Sequence, residues 1–123
     1  MHVNYEKKPE MTFIGYHTEI RPESENGFLY WIAGLYQGGD VPEGLELYSF
    51  PASDWAIFTA KGPMPGSLQT LNTAVWQEWF PNEGQKFQAN GKATLEVYSQ
   101  GDPQSLDYEC GIWVPVQEVH KSY

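Results

Sequence analysis

The residues best suited to chemistry are carboxylates interleaved with aromatic rings near the carboxyl end of the chain. Glu109 and Trp113 are four residues apart, so on a β-strand they share a face with Gly111. By the same alternation Glu96 and Tyr98 share a face of an earlier segment. If the two faces adjoin, a carboxylate lies among Tyr and Trp rings. Such a site attracts a flat organic cation through its charge and through the ring quadrupoles, with about 0.5 to 2 kcal/mol for each cation–π contact.

The same spacing is also typical of a purely structural arrangement, in which the rings fill the core and the glutamates point to water. Sequence signatures of catalysis are missing from the chain: it has no phosphate-binding loop, dinucleotide-binding glycine motif, nucleophile elbow, or Cys and His pair at metal spacing. We therefore expect neither a metal ion nor a cofactor. The single cysteine, Cys110, lies in an apolar strand-like segment, which favours a buried structural thiol.

The charge balance argues against nucleic acid as a direct partner. The chain has 7 Lys and Arg against 16 Asp and Glu, a net charge of -9, whereas binding to backbone phosphates needs clustered basic residues. From Pro22 to Ala60 there is no Lys or Arg, although six acidic residues fall in that stretch. An acidic field favours a cationic ligand, or it serves only to keep the protein soluble.

Length and composition indicate one soluble domain covering residues 1–123. No apolar run approaches the roughly 18 residues of a membrane span, and the amino-terminal residues lack the apolar stretch of a signal peptide. We therefore expect a cytoplasmic protein that does not associate with a membrane.

Alternation of apolar and polar residues predicts about six strands. The first is interrupted at Pro9, the segment 28–36 has the apolar run of a strand buried on both faces, and the next two look half buried. The predicted strands cover residues 3–8 with 11–17, 28–36, 45–50, 55–60, 93–98 and 108–114.

One segment has the spacing of a helix. Ser67 is placed as its N-cap, Pro81 ends it near Phe80, and one apolar stripe runs along it through Leu68, Leu71, Val75 and Trp79. A single helix among several strands predicts an α+β fold with a mainly antiparallel sheet.

Four short motifs follow one another along the chain, at residues 50–58 with Gly62-Pro63, 75–81, 95–98 with Gly101-Asp102-Pro103, and 107–116. In this order they resemble the GyrI-like effector-binding domain, and the resemblance covers about residues 11–116. That domain is attached to AraC-type and MerR-type multidrug regulators, and it also occurs as a free-standing module, as in integron cassette proteins that bind cationic drugs.

The resemblance implies two strand-helix-strand-strand halves related by a pseudo-twofold axis, with a ligand cleft between them. It also implies binding of hydrophobic cationic compounds against an acidic residue in an aromatic pocket. Carried onto this chain, the acid is Glu109 and the pocket walls are Trp113, Tyr98, Trp76 and Trp79, with Trp31, Tyr48 and Trp55 as weaker candidates.

Two features depart from the family pattern. Relatives often carry Glu where this chain has Gly111, so Glu109 is displaced by one strand repeat, about 7 Å. The first half should also contain a helix, but only residues 21–27 are available, too few for three turns with their loops. A shortened or missing helix predicts a looser cleft, or a homodimer in which a second subunit covers the apolar sheet face.

Three functions follow from the resemblance. The leading hypothesis is a non-enzymatic module that senses or sequesters amphipathic organic cations and contributes to transcription regulation only through a partner, because the chain has no helix-turn-helix segment. The second is an inhibitory protein partner of the gyrase-inhibitor type, whose acidic surface meets a basic patch and whose binding weakens with salt. The third is a hydrolase of strained electrophilic compounds, which requires a buried glutamate with a raised pKa.

Overall fold

A computed structural model of the chain describes residues 3–20, 28–82, 84, 86–89 and 93–118. Its strands pair only antiparallel with one another within these residues, and they accompany one helix, so the predicted α+β fold is confirmed. The strands are β1 (Val3–Lys8), β2 (Met11–Ile20), β3 (Phe28–Leu35), β4 (Glu46–Phe50), β5 (Ser53–Lys61), β6 (Phe87–Ala89), β7 (Leu95–Tyr98) and β8 (Glu109–Glu118). Helix α1 (Gly66–Thr73) continues into a π-helical segment (Ala74–Trp79).

The chain divides into two compact units, which we name by their content. The helix unit contains β1, β5, α1 and β6 to β8, and the three-stranded unit contains β2 to β4, within residues 9–52. The predicted interrupted first strand is therefore wrong as a single element, because β1 and β2 pair in different sheets.

In the helix unit the strand order is β1-β5-β8-β6, and β7 also pairs with β8. The helix packs across one face of this sheet, which we call the helix face, and the opposite side is the outer face. Alternation along β8 places Ile112 and Val114 on the helix face and their neighbours on the outer face. The core between helix and sheet consists of Ala56, Phe58, Leu71, Val75, Trp79, Ile112, Val114 and Val116.

The predicted apolar stripe of the helix is confirmed, but its predicted beginning is wrong. The helix starts at Gly66 with Pro65 in the N-cap position, and the Ser67 hydroxyl instead donates to the carbonyl of Gly62. At the other end the amide of Phe80 donates to the carbonyl of Val75 at 3.1 Å, which widens the last turns into a π-helix.

Beyond the helix the chain folds back against Trp79. The Gly84 amide donates to the Trp79 carbonyl at 2.6 Å, and a Cβ on Gly84 would lie 2.5 Å from the Trp79 ring. A residue without a side chain is therefore needed where the backbone passes this ring. The chain then enters β6, a short strand that the sequence pattern did not predict.

The three-stranded unit has the order β3-β2-β4. Burial of β3 on both faces is wrong, because Ile32 is 55% exposed and Leu35 is exposed as well. Within the described residues β3 pairs only with β2, and no helix covers the sheet. The next two strands were predicted to be half buried, and neither is. β4 is more exposed than predicted, and β5 is more buried, with four consecutive buried residues. The segment predicted to replace the first helix, residues 21–27, lies outside the described residues.

Candidate functional site

The pairing of β7 with β8 decides which predicted site residues meet. Val97 opposes Gly111, whereas Glu96 opposes Ile112 and Tyr98 follows two residues later on the same side. Opposed residues of neighbouring strands share a face of the sheet. Glu96 and Tyr98 therefore lie on the helix face, opposite to the face that carries Gly111. The two faces therefore do not adjoin, and the register separates Glu96 and Tyr98 from Glu109 and Trp113.

Glu109 and Trp113 both project from the outer face of β8. Glu109 opposes Lys61 on β5, and the Lys61 Nζ lies 3.9 Å from Glu109 Oε1. Both side chains are more than half exposed, at 59% and 57%. An exposed ion pair of this kind contributes only about 0.2 to 1 kcal/mol.

Trp113 is partly exposed and carries a cation on its ring. Lys8, the last residue of β1, reaches across β5 and holds its Nζ 4.6 Å from the Trp113 ring centroid. The same ammonium lies 4.0 Å from Glu6 Oε1. Ring and ammonium are within the range of a cation–π contact, so the outer face has a ring platform that holds positive charge.

Gly111, between Glu109 and Trp113 on this face, is itself buried, and the Trp113 indole leans over it. A Cβ at this position would lie 2.9 Å from the Phe58 carbonyl oxygen and 3.4 Å from Trp113 Nε1. The departure from the family pattern thus has a local reason, since a glutamate here would require the backbone of β5 or the indole to shift.

On the helix face, Glu96 lines a separate pocket of about 240 Å³ between the helix and β7. The Tyr98 hydroxyl donates to Glu96 Oε2 at 2.9 Å. Trp76 Nε1 donates to Asn72 Oδ1 at 3.0 Å, and the Trp76 ring stacks on Phe80. The remaining lining residues are Leu68, Gln69, Asn72 and Ile112.

Sequence reasoning missed the polar lining of this pocket. Gln69 and Asn72 are three residues apart, and Trp76, which the resemblance had already suggested as a wall, follows four residues later, so the three lie along one side of a helix. This spacing could have indicated the pocket. Each of these residues directly follows a residue of the apolar stripe that packs on the sheet, so they lie beside that stripe on the helix.

Two of the predicted pocket walls are buried in the helix unit. Trp79 is 2% exposed, with its ring centroid 5.0 Å from that of Phe58, and Trp55 is completely buried. Trp79 fills the space between helix and β5, which leaves its ring no surface for a ligand. Cys110 is buried as predicted, with its Sγ 3.8 Å from the Ser67 hydroxyl.

Trp31 and Tyr48 form a second acid–aromatic cluster, on one face of the three-stranded unit. Their ring centroids are 5.7 Å apart, and Trp31 also packs on His17 at 4.7 Å. His17 Nε2 lies 2.8 Å from Glu46 Oε2. The carboxylate in this cluster is therefore paired with an imidazole of the same sheet.

The part of the chain that the structure describes has no metal site: no group of three His, Cys, Asp or Glu side chains there could hold a metal ion. No helix there has the length and apolarity needed to cross a membrane.

Comparison with known proteins finds one matching family and several similar structures. The family described as integron-associated effector binding protein matches residues 5–116. The transcriptional regulator BrlR of Pseudomonas aeruginosa is 27% identical over 101 residues, which are 79% of this chain and 36% of BrlR. The chain thus spans about a third of that relative.

Two solved structures share the fold. SAV2435 bound to tetraphenylphosphonium superimposes with a TM-score of 0.81 at 16% identity, over 95% of this chain and 94% of that one. A transcription regulation protein of Staphylococcus aureus MU50 gives a TM-score of 0.76 at 16% identity, over 95% and 99% of the two chains. At this identity the likeness concerns the fold, and it confirms the fold that the short motifs predicted.

Proposed function

Because the chain belongs to the family of integron-associated effector binding proteins and has the GyrI-like effector-binding fold, we propose that it binds hydrophobic organic cations on the outer face of the helix unit. Trp113 is the ring platform of this proposed site and Glu109 is its acid. The observation that carries the proposal is that β8 presents both residues on one partly exposed face, with an ammonium already held on the Trp113 ring. SAV2435, a protein of the same fold, has been bound to tetraphenylphosphonium, a cation of this chemical class.

The spacing of the two residues favours a large ligand. Four residues of extended strand separate the Cα atoms of Glu109 and Trp113 by about 13 Å, and the Trp113 indole leans over the buried Gly111 between them. A cation whose charge is spread over several aromatic rings can stack on the indole while another part of it approaches the carboxylate.

Freeing the acid for a ligand costs little. Both side chains of the ion pair between Glu109 and Lys61 are exposed to solvent, so breaking this pair costs about 0.2 to 1 kcal/mol. Burying part of a ring system against Trp113 offsets that cost at roughly 25 cal/mol for each Å² of apolar surface removed from water.

The proposed site excludes four of the predicted aromatic residues. Tyr98 and Trp76 lie by Glu96 on the helix face, and Trp55 and Trp79 are buried. We place the weaker candidates Trp31 and Tyr48 outside the site as well, because their cluster is already paired internally through His17 and Glu46.

Binding is favoured over the hydrolase alternative by the exposure of the acid. A general acid or base needs a carboxyl shielded from water, whereas the Glu109 side chain is more than half exposed and paired with Lys61. We propose that the chain senses or sequesters the cation.

Two glutamates on one hairpin provide a matched test of the site. Tetraphenylphosphonium binding is measured by calorimetry for the wild type, Glu109→Gln and the control Glu96→Gln, which removes the same charge from the opposite face. We expect Glu109→Gln to weaken binding about two- to five-fold, as for the loss of an exposed charge contact, and Glu96→Gln to leave it unchanged.

A neutral ligand completes the test. Triphenylphosphine oxide, which carries similar rings without net charge, should bind both variants as it binds the wild type. If Glu96→Gln weakens the cation and Glu109→Gln does not, the cation binds in the helix-face pocket and the proposed site is wrong. An equal loss of cation and neutral ligand in Glu109→Gln would assign this residue a packing role.

A further inference from the structure

We infer that Lys8 is a competitor built into the proposed cation site: its ammonium holds the Trp113 ring in the ligand-free protein and has to leave before an organic cation can stack there. This inference rests on the proposed function, and it assigns to Lys8 the control of apparent affinity. Lys8 belongs to β1, far in sequence from the motifs that carry the family resemblance.

The Lys8 ammonium is held more closely than an ordinary surface lysine. Its Nζ lies 4.6 Å from the Trp113 ring centroid, inside the roughly 6 Å range of cation–π contacts. The Lys8 side chain is only 21% exposed, compared with 59% for Lys61 on the same sheet. Partial removal from water strengthens a cation–π contact, so the ring is occupied by a favourable intramolecular partner.

Lys8 and an organic cation cannot occupy the Trp113 ring at the same time. An organic cation stacked on Trp113 would lie within a few ångströms of the Lys8 ammonium, and two like charges at that distance repel. The four-carbon stem of lysine allows the ammonium to swing into water. Its second partner, Glu6 at 4.0 Å, belongs to the same strand and is more than half exposed, so this contact holds Lys8 only weakly.

Competition of this kind sets a threshold that hydrophobic cations pass more readily. A tethered group competes at an effective concentration in the millimolar range, which a small hydrophilic amine making the same single contact does not exceed. A multi-ring cation displaces Lys8 because it adds apolar contact with the Trp113 ring that an ammonium cannot make. Lys8 thereby lowers the apparent affinity of every cation by the same factor, and only cations that bind the ring more strongly still occupy it.

Adjacent lysines provide the matched variants. Lys8→Met keeps an unbranched apolar stem and removes the charge, and Lys7→Met makes the same change one residue earlier, where strand alternation places the side chain on the other side of β1, opposite Asp54. We expect Lys8→Met to bind tetraphenylphosphonium about two- to ten-fold more tightly than Lys7→Met, as for the removal of one competing cation–π contact. The same comparison with methylammonium should show the same relative gain, because both cations have to displace the same ammonium.

A second measurement reports on Lys8 directly. The ε-methylene protons of Lys8 should show an upfield ring-current shift in the free protein, assigned by its loss in Lys8→Met, and should return to ordinary values as tetraphenylphosphonium saturates the wild type.

The possible outcomes separate the two proposals. If the wild type binds the cation, but Lys8→Met and Lys7→Met bind equally and the Lys8 signal does not move, the competitor role is wrong and the proposed function stands. If no variant binds the cation, the proposed function fails and the competitor role fails with it.

Discussion

The helix unit and the three-stranded unit are both antiparallel sheets, but within the described residues only the first has a helix across one face. Phe58, Val75 and Val114 are completely buried between that helix and its sheet. In the three-stranded unit, strands with similarly apolar sequences leave Ile32 and Leu47 exposed. Apolar alternation thus produces a core only where a second layer packs on the sheet.

The two units also differ in how they pair a carboxylate with aromatic rings. In the three-stranded unit the Glu46 carboxylate forms a hydrogen bond with His17, and the His17 ring packs on Trp31. Acid, imidazole and indole therefore contact one another in a single cluster. On the outer face of the helix unit, acid and ring are held by separate lysines, and each of these contacts can be exchanged independently. This difference is the reason for placing the proposed cation site in the helix unit.

The sharpest contrast in stability should come from two isoleucines, one on a strand of each unit. Ile112 is 3% exposed on the helix face and Ile32 is 55% exposed on β3. We expect Ile112→Ala to lower the free energy of unfolding by about 2 to 5 kcal/mol, because it leaves a cavity beneath the helix, and Ile32→Ala to lower it by less than about 0.5 kcal/mol. Urea denaturation followed by circular dichroism measures both. Equal losses would contradict the view that the Ile32 side chain packs against little of the protein.

Two glycines provide the next contrast. Gly111→Ala places a Cβ 2.9 Å from the Phe58 carbonyl oxygen, whereas a Cβ on Gly34 of β3 meets nothing within 4 Å. We expect Gly111→Ala to destabilise the protein by about 1 to 3 kcal/mol through overpacking. Gly34→Ala should be neutral or stabilise by up to about 1 kcal/mol, because alanine restricts the unfolded chain. Equal denaturation midpoints for the two variants would show that β5 and β8 are not tightly packed at Gly111.

Local features of the fold could be predicted from the sequence, since they depend on nearest neighbours. The buried stripe through Leu71, Val75 and Trp79 follows from helical spacing, and the β7 and β8 segments follow from alternation. Burial of individual strands could not be predicted, because it depends on what packs against them. β3 has seven apolar residues of eight and β5 has five of nine, yet Ile32 of β3 is exposed whereas residues 55–58 of β5 are all buried.

The candidate site was predictable in composition but not in arrangement. Alternation shows that Glu96 and Tyr98 share a face, yet only the pairing of Glu96 with Ile112 shows which face it is. The contact of Lys8 with Trp113 joins strands more than a hundred residues apart and leaves no local pattern. The homodimer expected from the shortened first half stays a prediction.

The most direct test of the cation site follows the indole N–H signals of the five tryptophans in a ¹H–¹⁵N spectrum while tetraphenylphosphonium is added. The tryptophans lie in different environments: Trp113 is partly exposed on the outer face, Trp55 is buried on that same face, Trp79 is buried beneath the helix, Trp76 lies beside the helix-face pocket, and Trp31 belongs to the three-stranded unit. The proposed site predicts a saturable shift of the Trp113 signal that exceeds every other and that triphenylphosphine oxide does not reproduce. A saturable shift of Trp31 or Trp76 with an unmoved Trp113 signal would contradict it.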